Sequence, residues 1–199
     1  MPDAKSRARK IKLLLFDVDG VLTDGKLFFV PAAAGAKNEG AGGINLTSLG
    51  SVEIKGFHAH DGVAISLARV AGIKTGLITK RASETVAVRA RDLKLDHIYQ
   101  GIQDKLGTFR EILAQEKLTA AEACFVGDDV IDLPVMWNCG LAVAVANARE
   151  EVKKDSHFVT KRSGGDGALR DAIEFILKSQ RRLKKVVEKY VGAGSKESQ

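Results

Sequence analysis

Acidic residues stand at two points in this 199-residue chain where apolar runs stop. Asp17 and Asp19 close the run 11–16, and Asp128, Asp129 and Asp132 follow the run 123–127. Two carboxylates two residues apart at the end of an interior run are hard to explain by packing. The alternative is a solvated turn, which suits Asp19-Gly20 but does not need Asp17 so close to the core. Thr79 ends a third apolar run, and Lys105 follows a fourth after Asp104. Clustered carboxylates, one hydroxyl and one lysine fit phosphoryl transfer. Three acids with a backbone carbonyl and waters suit octahedral oxygen coordination of Mg²⁺. A carboxylate left over can attack phosphorus and form an acyl-phosphate. A lysine and a hydroxyl can hold the phosphoryl oxygens as charge redistributes. No Walker-type lysine loop and no kinase signature occur, so a nucleotide donor is not indicated.

These residues need a scaffold that brings strand ends together. The unbroken apolar run 11–16 reads as a strand buried on both faces, as in parallel sheets. Further strands are expected at 26–30, 51–57, 73–79, 97–100, 123–127, 141–145 and 157–160. Helices are expected from Asp61 to Gly72 with Asp61 as N-cap, from Ser83 to about 93 with Ser83 as its cap, over 105–116, 133–138 and 149–154, and as one long helix from Gly167. Repeated strand-then-helix units predict an α/β fold: a Rossmann-like parallel sheet flanked by helices, its ligand edge at the carboxyl ends of the strands. The exceptions are 26–30 and 51–57, expected to pair as a projecting β-hairpin. Its tip, 31–51, holds five Gly and five Ala and reads as a flexible loop. Phe28-Phe29 belong either to the core or to a subunit contact.

Composition points to one soluble domain spanning 1–199. No apolar run reaches the ~18 residues of a membrane helix, and none has the form of a signal peptide, so a cytoplasmic protein is expected. Cys124 and Cys139 stand in apolar surroundings and read as reduced packing residues. The net charge of +6 sits at the ends. Residues 1–12 hold five Lys/Arg and one Asp, and 178–199 hold seven Lys/Arg and two Glu, leaving 13–177 at −3. The body is therefore no nucleic-acid surface by charge. The basic ends, 1–10 and about 180–199, are expected as solvated tails, the second either fraying or projecting as a helix.

Asp17-Val-Asp-Gly-Val-Leu-Thr-Asp24, Thr79, Lys105 and Gly127-Asp-Asp-x-x-Asp132, in that order, resemble the four motifs of the haloacid dehalogenase superfamily. Further stretches resemble its 3-deoxy-D-manno-octulosonate 8-phosphate phosphatase subfamily: Phe57–Gly62, Gly76–Arg81, Arg89-Ala90, Gly127–Met136, Ala142–Asn147 and Gly164–Arg170. The resemblance implies Asp17 as nucleophile and metal ligand. It implies Asp19 as general acid and then base, with its carbonyl on the metal, and Asp128 as the third ligand, with Asp129 and Asp132 outside it. Thr79 and Lys105 would hold the phosphoryl group. Asp19, Phe57, His58, Ala59, His60, Asp61, Ile65, Arg81, Arg89, Lys105 and Arg170 would contact the substrate. Mg²⁺ would be the cofactor, and lipopolysaccharide precursor synthesis the setting. Three departures stand out: Lys80 where a small residue is usual, His60 where Arg is common, and a 31–51 segment longer than the usual hairpin tip.

Only 36 residues lie between Asp24 and Asp61, and only 25 between Thr79 and Lys105, so neither gap houses a cap domain. Either the substrate is bulky or a neighbouring subunit covers the site. The resemblance implies the second, a homotetramer in which hairpins associate, with Gly164–Arg170 either a plain loop and helix start or a covering segment. Competing readings are a nonulosonate 9-phosphate phosphatase, a nucleic-acid end phosphatase, and a non-catalytic scaffold, which would need none of Asp17, Asp19, Lys105 and Asp128.

Overall fold

A computed structural model describes residues 3–31 and 51–194. Most of the expected hairpin tip, 31–51, and the last residues of the chain lie outside that range. Eight strands are described: β1 (Leu13–Phe16), β2 (Phe28–Pro31), β3 (Ser51–Ile54), β4 (Lys74–Ile78), β5 (His97–Tyr99), β6 (Ala123–Gly127), β7 (Leu141–Ala144) and β8 (Phe158–Val159). Six of them form one parallel sheet in the order β5-β4-β1-β6-β7-β8, and β2 and β3 pair separately as an antiparallel hairpin. The α/β reading, the flanking helices and the projecting hairpin are as the sequence predicts.

β1 is central because nothing in it tolerates water: Leu13, Leu14, Leu15 and Phe16 are all fully buried. Each such side chain contributes about 1.5–3 kcal/mol by leaving water. The helices are α1 (Ala4–Ala8), α2 (Ala59–Val70), α3 (Glu84–Asp92), α4 (Lys105–Glu116), α5 (Leu133–Met136), α6 (Glu150–Lys154), α7 (Ala168–Ser179) and α8 (Leu183–Gly194). α2 packs on α7, and α7 on α1; α4 packs on α5 and β4. Phe175 of α7 stacks on Phe158 of β8 at 4.1 Å between ring centroids, closing that edge of the core. Cys124 and Cys139 are free and buried, and burial pushes the Cys139 thiol up to about 12, so both are inert packing residues.

Four expectations are corrected. The N-terminal stretch is not a solvated tail: Asp3 caps α1, Ala8 is buried, and Arg7 donates to the Gly140 carbonyl at 2.8 Å. The long helix from Gly167 breaks at Arg181, whose φ is +57°. Its second half folds back as α8, where Val186 is buried and Arg182 bonds the Ala71 carbonyl. Asp61 is not the N-cap of α2; His58 is, accepting from the His60 amide at 3.2 Å. Ser83 does begin α3, but its hydroxyl bonds Glu53 instead of the helix.

Candidate active site

Register assembles the site. Phe16 pairs with Leu77 on one side and Val126 on the other, so Asp17 emerges beside the ends of β4 and β6. Thr79 and Asp128 each follow within a residue or two, at the same edge. Asp17 Oδ1 accepts from the Val18 amide at 2.7 Å, and Asp17 Oδ2 lies 2.7 Å from Lys105 Nζ. Lys105 also meets Asp132 Oδ1 at 2.8 Å. Asp132 Oδ2 accepts from the Asp128 amide at 3.0 Å. Lys105 and Asp132 are almost fully buried, so neither reads as a surface ion pair. Burial opposes the charge on Lys105, but Asp132 and Asp17 outweigh it and hold the ammonium above the ordinary lysine value. Burial, then Asp17, raises Asp132.

The loop after Asp17 needs a glycine. Gly20 has φ +87°, and a Cβ there would fall 2.1 Å from Asp128 Oδ2. Its absence lets the Asp128 carboxylate lie over the loop. Asn147 binds the Gly20 carbonyl at 3.2 Å through Nδ2 and accepts from the Gly164 amide at 2.6 Å through Oδ1. The Gly165 amide reaches the Val21 carbonyl at 3.1 Å. The Gly164–Arg170 stretch, open between loop and cover at the sequence level, therefore starts by buttressing the loop that follows Asp17 in its own chain.

Oxygens of Asp17, Asp128 and Asp132 come within 4.8 Å of one another. Asp128 Oδ1 is buried with no hydrogen-bond partner. Burial, aided by Asp132, Asp17 and Asp129, pushes this carboxyl up to about 8. An orphaned, crowded carboxylate is what a hard divalent cation relieves, and the all-oxygen donor set fits Mg²⁺. Asp132 spends one oxygen on Lys105 and the other on the Asp128 amide, so it ties the lysine to the loop that carries Asp128.

Sequence reasoning missed two residues. Lys55, just after β3, has a side chain only 1% exposed, and its Nζ pairs with Asp19 Oδ1. Glu53 lies 3.5 Å from Lys55 Nζ, bonds Arg81 Nη2 at 2.8 Å, and accepts from the Ser83 hydroxyl. Arg81 Nε completes the group at 3.4 Å from Asp19 Oδ2. The signal was present: Glu53 and Lys55 alternate with the apolar Val52 and Ile54, and opposite charges two apart on one strand face read as solvated until a partner faces them.

The remaining substrate-contact residues divide by burial. Ala59, His60 and Arg81 are exposed, and His58 and Phe57 are half-buried. Arg89 sits 5.7 Å from the Phe57 ring centroid and bonds Asp92 at 2.5 Å. Ile65 is fully buried in the core. Asp61 is also fully buried; its Oδ1 accepts from the Arg170 amide at 2.9 Å, tying α2 to the start of α7. The Arg170 side chain bonds Glu174 of its own helix at 2.5 Å. Lys80 is an exposed loop residue.

A parallel sheet with a lysine-braced aspartate ending its central strand, and an acidic Mg²⁺ cluster beside it, defines a phosphoryl-transfer hydrolase. The chain belongs to the haloacid dehalogenase-like hydrolase family, whose model matches residues 72–171. It is a phosphoric monoester hydrolase. The 3-deoxy-D-manno-octulosonate 8-phosphate phosphatase of Yersinia pestis is 36% identical over 181 residues, covering 91% of this chain and 87% of that protein. A crystal structure of the Yersinia pestis phosphatase matches with a TM-score of 0.79, covering 92% of this chain and 89% of that one. The Moraxella catarrhalis phosphatase, solved with magnesium ion, phosphate ion and KDO, is 30% identical. It matches with a TM-score of 0.81 over 94% of this chain and 97% of that one. Among the described residues no element is inserted that would form a cap domain.

Proposed function

We propose that the protein hydrolyses 3-deoxy-D-manno-octulosonate 8-phosphate to the free sugar acid and phosphate, serving lipopolysaccharide precursor synthesis. The observation that carries the reading is the Asp17–Lys105–Asp132 chain beside the orphaned Asp128 oxygen. The relatives' substrate supports the particular sugar acid. Mg²⁺, when bound, would be held by Asp17, the Asp19 carbonyl and Asp128, and would supply charge neutralisation for the phosphoryl oxygens. An Asp17 oxygen attacks phosphorus, the ester P–O bond breaks, and the leaving sugar oxygen takes a proton from Asp19. Asp19 then takes a proton from water, which attacks the aspartyl-phosphate, releasing phosphate and restoring Asp17. Lys105 and Thr79 hold the phosphoryl group. Arg81, Arg89, His58 and His60 meet the sugar acid.

The same reading includes a homotetramer. Phe28 pairs with Ile54 and Val30 with Val52, putting an apolar row on one hairpin face, with Phe28, Val30 and Ile54 about half exposed. A second copy packed there would cover the site from outside, where the described residues supply no cap.

A panel of sugar acid phosphates assayed with Mg²⁺ for phosphate release tests the function. The eight-carbon substrate should show the highest kcat/KM, and Asp17→Asn should lower its kcat by about 10⁴-fold or more. A higher kcat/KM for a nonulosonate 9-phosphate would replace the substrate. More than about a hundredth of activity left in Asp17→Asn would remove the nucleophile.

A further inference from the structure

The two basic ends, which the phosphatase chemistry does not use, meet in space. Gln180 Nε2 donates to the carbonyls of Ala8 at 3.2 Å and Ile11 at 2.9 Å, laying the α7–α8 turn against the segment that enters β1. A cleft of about 860 Å³ opens there, lined by Arg9, Lys10, Lys12, Arg181, Arg182 and Glu122. It lies at the amino ends of the strands. Lys12 precedes β1 and Glu122 precedes β6, whereas Asp17 and Asp128 follow those same strands. The cleft and the active site therefore occupy opposite edges of one sheet.

The cleft's charge is uncompensated. Its one acid, Glu122, is consumed by Lys12 at 2.6 Å and by the Thr119 amide and hydroxyl at 2.9 and 2.8 Å. Arg9, Lys10 and Arg181 are exposed and have no ion pair or side-chain hydrogen bond among the described residues. The volume is that of a small-molecule site, and Arg9, Lys10, Lys12, Arg181 and Arg182 bring five cationic side chains to its lining, so it suits an anion. Planar guanidinium forks match phosphate oxygens in pairs. No aromatic ring lines the cleft, so it offers no stacking platform for nucleic-acid bases.

We propose that this cleft binds a small, multiply charged phosphate anion of polyphosphate or nucleoside triphosphate size. A ligand there bridges the entry to β1, the turn before β6 and the α7–α8 turn. It stabilises the folded chain by mass action.

Inorganic tripolyphosphate, titrated calorimetrically into the full chain in Mg²⁺-free buffer at about 0.15 M salt, tests this, with amide shifts mapped in parallel. The expected result is a Kd below about 100 μM, with shifts at residues 9–12, 119–122 and 179–182. Lys10→Glu and Arg181→Glu should each weaken binding by about tenfold and leave Mg²⁺-dependent sugar phosphate hydrolysis unchanged. No binding at that salt overturns the proposal, as does binding whose shifts fall only around Asp17, Thr79 and Lys105. Phosphatidylglycerol vesicles or a single-stranded 20-mer bound more tightly than tripolyphosphate would also overturn it, assigning the cleft to a membrane surface or to nucleic acid.

Discussion

At the scale of single residues, Lys55 carries the most consequence for its position. A buried ammonium paired with the Asp19 carboxylate from across the hairpin holds that side chain in one direction, and Arg81 braces it from the other oxygen. In the proposed mechanism, loss of the brace should matter most where Asp19 hands over a proton. Lys55→Met is expected to lower kcat/KM for the sugar phosphate by about 10²-fold. For p-nitrophenyl phosphate, whose leaving group departs without a proton, the loss should stay within about threefold. kcat/KM is the right quantity because it reports only the steps through departure of the leaving group. Equal losses on both substrates would mean a merely structural lysine. Asp128 makes a second prediction. Its carboxyl is raised to about 8 in the folded chain against an unfolded value of 3.8. The folded state therefore binds the extra proton between those values, and this contribution to stability is lost as pH rises toward 8. A bound divalent cation requires the carboxylate, so Mg²⁺ should raise Tm more at pH 8 than at pH 6. A Tm gain from Mg²⁺ that is the same or smaller at pH 8 would contradict it.

At the scale of elements, the site depends on loops pressed together without side chains between them. A Cβ on Gly164 would fall 1.7 Å from the Gly20 carbonyl oxygen and 2.8 Å from the Val21 amide, which is backbone on both counts and unable to swing aside. Gly164→Ala should cost about 3 kcal/mol and lower Tm by roughly 6–12 °C. It should also weaken Mg²⁺ binding, because the displaced loop carries Asp17 and Asp19. Gly56 meets nothing within 4 Å, so Gly56→Ala is the matched control and should leave both quantities unchanged. Denaturation scans with and without Mg²⁺ measure both variants. The buried Asp61 serves the neighbouring joint, accepting an amide at the start of α7 where the helix dipole favours a negative charge.

At the scale of the whole molecule, the acidic cluster lies at the carboxyl edge of the sheet, the basic cleft at its amino edge, and an exposed apolar row on the hairpin. Among the described residues, no helix is long and apolar enough to cross a membrane. The hairpin row is the surface to test for assembly. Light scattering at micromolar concentration should show a tetramer, and Phe28→Ser with Ile54→Ser should shift it toward smaller species while raising KM. A fully active monomer would refute the shared cover and leave a bulky substrate as the remaining way to close the site.

The main features of the catalytic centre were legible in the chain because each acid follows an apolar run. Such runs become adjacent parallel strands, so Asp17, Thr79 and Asp128 had to share one edge once 11–16, 73–78 and 123–127 paired. Local patterning also placed α4 and β6 at their observed bounds. What it could not show were contacts made by the docking of one element on another. Lys55 meets Asp19 across 36 residues, Asn147 meets Gly20 across 127, and Gln180 meets Ile11 across 169. Each of these polar side chains looks solvated in its own stretch, because hydrophobic periodicity records which face is apolar and says nothing of what a polar face meets. Only the tertiary structure turned the strand charges into a brace for Asp19 and folded two basic ends into one cleft.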